Sequence, residues 1–468
     1  MIALQNITRN VKLPITAAKI TVIILIGFCA TSCFMRQDVL EEIRESGELR
    51  VITRDSLTTC YRGEMGFTGF EYTLAERFAD ELGVRLKIVL VESDKQAMDA
   101  IRRGEGHLVA GLKVVSRYKT VVHFGPGYRK IRQQVIYRRE KDRRKDDRAL
   151  AGMVVEAPQG CECMDALREI NAKEPNFIWR EHPSADEGEL LSLLLQRKID
   201  ATIIDSHEAS LTRQLHPDLR IAFDIGEPRS LAWGFPLYAD DSLYGVARLF
   251  FQKIEKNGEM DGIIHRYYGH MERFSYNESR QFLQHVKNRL PKYMDDFKIA
   301  AIRHGVDWHL LGAIGYQESH WNPKAVSPTG VRGIMMLTIN TARQLGVKNR
   351  VDEKQSIFGG ARYFAYLKEN KIAKRIREPD RTWFTLASYN VGFGHVEDAR
   401  ILTQRAGANP DRWEDVREFL PLISQKKWYE RTRYGYARGH EPVQYVRNIR
   451  RYYDRLIWLE RRKRKGNR

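Results

Sequence analysis

The sequence predicts a multidomain chain, an α/β domain followed by an all-α domain. Three observations predict it. The chain has 468 residues, and at ~150 residues per domain that is too long for one core. Between residues 48 and 270, short apolar strands alternate with segments of helical periodicity. Beyond residue 275 the strands stop and the apolar residues keep helical spacing, the pattern of packed helices.

In the first region, residues 49–53 read as a strand, 72–82 as a helix, and 85–91 as a strand with apolar residues at alternate positions. A helix follows at 95–103, then the apolar run 108–115, a helix at 188–197 and a buried strand at 201–204. Short apolar strands separated by helices call for a largely parallel sheet. The charge run 140–148 reads as a solvated loop, placed where a crossover between two lobes would fit. In the second region, helical spacing marks residues 280–289, 293–303, 308–317, 340–345, 356–370, 382–390 and 443–458. The boundary falls near residues 269–275.

Hydrophobic residues make up 43% and charged residues 29% of the chain, a globular balance that excludes a disordered or fibrous protein. Lys+Arg number 78 against 60 Asp+Glu, a formal charge of +18. That excess favours an anionic partner: nucleic acid, acidic lipid or an acidic polymer. The N-terminus narrows the choice. Arg9, Lys12 and Lys19 lead into the apolar residues 20–30, short of the ~20 needed to span a bilayer but suited to a signal-peptide core. Residues 1–33 are therefore an export signal or anchor ending in Ala30-Thr31-Ser32-Cys33, which resembles a bacterial lipoprotein-processing box. Lipidation at Cys33, ordinary cleavage and an uncleaved anchor all remain open, and all three export the chain. Export argues against nucleic acid. Of the five cysteines, Cys161 and Cys163 have a single residue between them, too few for a zinc or redox motif. A bridge from Cys60 to either of them and unpaired thiols are both consistent with the spacing.

Residues 47–51 (Gly-Glu-Leu-Arg-Val), 69–72 (Gly-Phe-Glu-Tyr), the helix 74–82 and Lys198-Ile199-Asp200-Ala201 through Ile204-Asp205 occur in an order that resembles the family 3 bacterial solute-binding proteins. The likeness covers residues 46–270 and implies two periplasmic-binding-protein-like lobes closing on a polar solute. It implies an arginine for the ligand carboxylate and an aspartate for its ammonium group, answering both charges of a zwitterion. Asp205 matches the aspartate. Arg117 matches the arginine only approximately, because Phe124 lies seven residues on, where the family has six. An amino acid or a murein peptide is the expected ligand; a packing module without a ligand is the alternative.

In the second domain, Asp307 is placed to cap a helix on which Leu311, Ile314 and Glu318 share one face. A carboxylate ending an apolar stripe loses solvent, which raises its pKa toward general-acid use. By itself this pattern also fits a paired structural glutamate. After Glu318-Ser319 come the loop Gly330-Val331-Arg332-Gly333-Ile334-Met335-Met336-Leu337-Thr338, then Ala387-Ser388-Tyr389-Asn390-Val391-Gly392, then Glu441 with Gln444-Tyr445-Val446-Arg447-Asn448-Ile449. These motifs resemble the catalytic domain of the Slt-type lytic transglycosylases, a lysozyme-like α fold, with one departure: Met336 stands where most of that family has glutamine. The resemblance covers residues 290–453 and places the lytic transglycosylase domain, with its basic tail, at 271–468. It implies Glu318 as the catalytic residue, and Ser319, Met336, Tyr389, Asn390 and Glu441 as groove residues that bind the substrate.

Hydrolysing glycosidases pair an acid with a second carboxylate, yet residues 319–351 contain no Asp or Glu. This fits the single-glutamate mechanism that the resemblance implies. In that mechanism the β-1,4 bond between N-acetylmuramic acid and N-acetylglucosamine is cut with formation of a 1,6-anhydromuramyl end, without metal or organic cofactor. The expected partners are peptidoglycan glycan strands and the lipid surface of the outer membrane, on its periplasmic face. Two other classes stay open: a muramidase that cuts the same bond with water, and a solute or glycan receptor without catalysis.

Overall fold

The computed structural model describes residues 38–63, 66–139, 152–158, 161–216, 218–268 and 276–466. The export segment, the charge run 140–148 and the domain boundary at 269–275 lie outside the described residues.

The first domain opens with α1 (Val39–Ser46), capped by the Asp38 side chain. It continues β1 (Glu48–Arg54), the hairpin β2 (Tyr61–Gly63) and β3 (Gly66–Thr68), α2 (Phe70–Leu82), β4 (Arg85–Val91), α3 (Asp94–Arg102), β5 (Leu108–Lys113) and β6 (Val122–Phe124). Then come β7 (Arg129–Arg138), β8 (Val154–Pro158), α4 (Met164–Lys173), β9 (Ile178–His182), α5 (Glu187–Leu195), β10 (Ala201–Asp205), α6 (Ser206–Leu215), β11 (Leu219–Pro236), α7 (Ser242–Lys256) and α8 (Glu259–Tyr268). Apart from the separate β2-β3 hairpin, the described strands form one sheet in the order β4-β1-β5-β11-β7-β10-β8-β9, with β6 also on β11.

The sheet corrects the expectation of a largely parallel arrangement. Its flanks are parallel, β4-β1-β5 in one lobe and β10-β8-β9 in the other. Its centre is antiparallel, because β7 and β11 carry the chain between the lobes side by side. Each lobe packs its own core: Phe70, Phe78, Trp233 and Phe250 in the first, and Val155, Leu167, Ala201 and Ile203 in the second. The cysteines are also resolved differently from the bridge to Cys60. Cys161 is bonded to Cys163, and Cys60 is a buried free thiol.

The second domain is helical: α9 (Tyr276–Asn288), α10 (Met294–His304), α11 (Trp308–Ser319), α12 (Ile339–Gln344), α13 (Glu353–Asn370), α14 (Asp380–Val391), α15 (Phe393–Arg405), α16 (Trp413–Phe419), α17 (Lys426–Tyr429) and α18 (His440–Gly466). One core runs through it, built on Leu311, Ile314, Phe297, Phe364, Phe384 and Ile449. α11 lies at its centre, with ten of its residues buried, so the helix is fixed on all sides rather than along one stripe. α18 closes the bundle and also reaches the first domain. Arg461 pairs with Asp55, just past β1, and Trp458 meets His216 edge-on at 5.0 Å, just past α6. One helix therefore touches both lobes and the helical core.

Candidate active site

The N-terminus of α11 is held by charge. The Asp307 carboxylate accepts from the His309 backbone at 2.8 Å, satisfying one of the free N–H groups of the first turn. The His309 ring spans Asp307 Oδ1 at 2.8 Å and Glu460 Oε2 at 2.5 Å, and the Tyr453 hydroxyl donates to Asp307 Oδ2 at 2.7 Å. Burial opposes a charge on His309, but the bonds to Asp307 and Glu460 prevail and raise its pKa to about 9. This clamp fixes α11 against α18.

The other end of α11 carries the chemistry. Ser319 Oγ donates to the carbonyls of Gly315 at 3.1 Å and Ile334 at 2.9 Å, tying the helix end to the loop before α12. The chain then turns sharply through His320 and Trp321, both left-handed, and the Trp321 indole donates to the Gly312 carbonyl at 2.8 Å. Met336 is left-handed too. Backbone of this kind is uncommon outside glycine and gathers at functional sites. Gly333 permits the loop's close approach: a Cβ there would sit 2.0 Å from the Arg350 carbonyl oxygen.

Glu318 is half-buried at this corner. The Tyr445 hydroxyl, from the first turns of α18, donates to its Oε1 at 2.5 Å. Burial pushes the Glu318 carboxyl up to about 7, against the opposing pull of that hydrogen bond. No charged side chain among the described residues contributes to the shift. Tyr389 donates to the Met335 carbonyl at 3.0 Å, and Glu318 adds to the burial that holds its hydroxyl protonated. The arrangement is a carboxylic acid with a pKa near neutrality, flanked by two tyrosines and lacking a charged partner. That is what general-acid work followed by general-base work requires.

Two family models match the chain: "Transglycosylase SLT domain" over residues 295–411, and "Bacterial extracellular solute-binding proteins, family 3" over residues 49–270. Among curated relatives, "Membrane-bound lytic murein transglycosylase F" of Pseudomonas fluorescens (strain Pf0-1) is 44% identical, over 92% of this chain and 88% of that protein. The protein of that name from Saccharophagus degradans is 44% identical, over 90% of this chain and 84% of that protein. This chain belongs to the membrane-bound lytic murein transglycosylase F family. It is a murein-degrading lytic transglycosylase acting on peptidoglycan, with a family 3 solute-binding-like domain ahead of its catalytic domain.

The other residues singled out in the sequence are placed as follows. Ser319 is buried behind Glu318, where it holds backbone. Met336 is half-buried in the loop that Tyr389 touches, and Asn390 is exposed at the end of α14. Glu441 is exposed and paired with Arg438 at 3.1 Å, one turn before Tyr445. Tyr445, the residue that does contact Glu318, belongs to the same sequence motif, and its helical spacing from Val446 and Ile449 gives it the look of a core aromatic. It also lies beyond residue 411, where the transglycosylase match ends. In the first domain Arg117 is exposed, its guanidinium over the Tyr118 ring at 4.9 Å. Asp205 is fully buried at the end of β10, with the Lys113 ammonium 3.2 Å away. Sequence reasoning passed over Lys113, although a lysine within the apolar run 108–115 was the available signal.

Proposed function

We propose that Glu318 is the sole catalytic carboxylate and that it acts twice. As the acid, it delivers its proton to the β-1,4 glycosidic oxygen between N-acetylmuramic acid and N-acetylglucosamine while the C1–O bond breaks. As the carboxylate, it takes the proton of the muramyl C6 hydroxyl while O6 bonds to C1, with the neighbouring acetamido group assisting. The products are a free N-acetylglucosamine end and a 1,6-anhydromuramyl end; the glutamic acid is regenerated and no water is consumed. What supports this reading is the setting of Glu318, half-buried at the end of α11 and bonded by the Tyr445 hydroxyl at 2.5 Å, with burial and no charged side chain among the described residues pushing its pKa up to about 7. A hydrolase would place a second carboxylate opposite it. Ser319 and the loop through Met336 shape the groove floor, Tyr389 and Asn390 face the sugar, and Glu441 borders the same end of α18.

Product mass decides between the anhydro reaction and hydrolysis. Digestion of purified sacculi is expected to give muropeptides 18 mass units lighter than a muramidase gives, the mass of one water molecule (about 18 for H2O). Reducing-end products alone would overturn the reading.

We place the mature protein on the periplasmic face of the outer membrane, held by a lipid at Cys33 or by peripheral contact of its basic surface. Among the described residues no helix is long and apolar enough to cross a membrane. Release of the Cys33→Ala protein from membranes identifies the lipid as the anchor; unchanged fractionation eliminates it. By its likeness to the family 3 solute-binding proteins, the first domain offers Asp205 as the position that meets an ammonium group.

A further inference from the structure

The interface between the two lobes of the first domain is a layer of buried charge. Lys113, the last residue of β5 in the first lobe, is 5% exposed. Its Nζ lies 2.6 Å from Glu187 Oε1 and 3.2 Å from Asp205 Oδ2, both in the second lobe. Gln133, on the crossing strand β7, donates to the same Glu187 oxygen at 3.3 Å. Arg54, the last residue of β1, reaches Asp94 at 3.2 Å within its own lobe and Glu208 at 3.2 Å across the gap. Both cations of the cluster thus stand on the first lobe, and three of its four carboxylates stand on the second.

Closing the lobes strips these carboxylates of water. Asp205 is 0% exposed, and among the described residues neither of its oxygens, nor Glu187 Oε2, accepts a hydrogen bond, the Lys113 ammonium standing beside Oδ2 as an ion pair. A buried carboxylate without a counter-ion is strongly destabilising, so this closed state needs a cation beside Asp205 and Glu187. In a two-lobed receptor that closes on an amino acid, the ammonium group of the solute brings that charge. Here a side chain four methylenes long brings it. Burial works against the Lys113 charge, but Asp205 and Glu187 outweigh it and keep the amine protonated.

We propose that Lys113 is a tethered stand-in for the solute ammonium: the first domain closes on its own lysine, and a free amino acid is excluded from the subsite at Asp205. The proposal rests on reading Asp205 as the ammonium position. It narrows the solute to molecules without a free primary amine, such as a peptide whose N-terminus is acylated.

The test uses the full mature chain and n-butylammonium chloride, the charged side chain in free form. Lys113→Ala is expected to lower Tm. n-Butylammonium should restore it saturably, with an apparent affinity roughly tenfold or more above any wild-type response, whereas equal NaCl or n-butanol should not. L-Alanine in calorimetry should give no heat of binding with the wild type. Absence of rescue, or equal binding of either amine by the wild type, overturns the stand-in. Rescue that persists in Lys113→Ala with Asp205→Asn overturns the Asp205 assignment alone. Should Lys113→Ala fail to fold, Lys113→Met is compared with Lys113→Met/Glu187→Gln. Partial recovery of Tm in the double variant supports the charge pairing, and a further loss overturns it.

Discussion

Glu318 and Asp205 are both carboxylates at the end of a regular element, both withdrawn from water, and they have opposite electrostatic surroundings. Among the described residues, the environment around Glu318 is aromatic and uncharged, and its polar contact is a tyrosine hydroxyl. Around Asp205 two cations and three further acids crowd into the same buried layer. Burial alone therefore does not set the role of an acid. Without a counter-ion, the proton stays within reach of neutral pH and can be given and taken back. With a lysine at 3.2 Å, the carboxylate becomes half of a fastening between two lobes. One chain uses desolvation for chemistry in one domain and for closure in the other.

The sharpest way to break this contrast is at Glu318. Glu318→Gln is expected to keep wild-type Tm and circular dichroism and to lose ~10²–10⁴ of the murein-cleavage rate, the usual worth of general acid–base catalysis. Retained activity in the folded variant would move the chemistry elsewhere. At the other site the effect should fall on stability. Lys113→Met takes the nearest cation away from the buried Asp205 and Glu187, with an expected loss of about 3–5 kcal/mol in the unfolding of the first domain. Chemical denaturation followed by tryptophan fluorescence measures it, and Trp233 in the core of the first lobe is a suitable reporter.

A smaller effect comes from the clamp on α11. The folded pKa of His309 is raised to about 9, above ~6.5 for an unfolded histidine. Its contribution, on the order of 3 kcal/mol, is fully present below pH ~6.5 and is lost as pH rises through 9. Thermal melts between pH 6 and 10 should show that decline, and His309→Gln should flatten it. The smallest predicted change is kinetic. Cleavage by the wild type should fall as pH rises through about 7, because only protonated Glu318 can start the reaction. Tyr445→Phe removes the hydrogen bond that lowers this pKa, so the alkaline limb should move upward by roughly one pH unit. A limb that stays put would make Tyr445 a packing residue only.

Much of this was readable in the sequence where a regular period coincided with burial. The strand 85–91 is found at the predicted residues because apolar side chains alternate along it. α11 was legible because a cap and an apolar face follow one another, and Glu318 stood out through the motifs around it that resemble the lytic transglycosylases. The crossing strands were not. β7 interleaves Arg, Lys and Gln with its apolar residues, and β11 runs through register breaks, so neither shows a clean alternation. Long-range charge pairing was equally hidden. Lys113 lies 74 residues from Glu187, and spacing along the chain carries no trace of such a contact. The lobes' centre therefore looked parallel, and the acid at Asp205 looked available.

The hydrogen bond from Tyr445 to Glu318 joins residues 127 positions apart, and it has a consequence in time. A chain emerges from synthesis and export from its N-terminus, so Glu318 arrives long before α18 does. Until α18 is delivered and docked, the glutamate lacks both the tyrosine and the clamp through Glu460 that fixes its helix. The helix that carries Glu318 therefore acquires its contacts with Tyr445 and Glu460 only once α18 has been delivered.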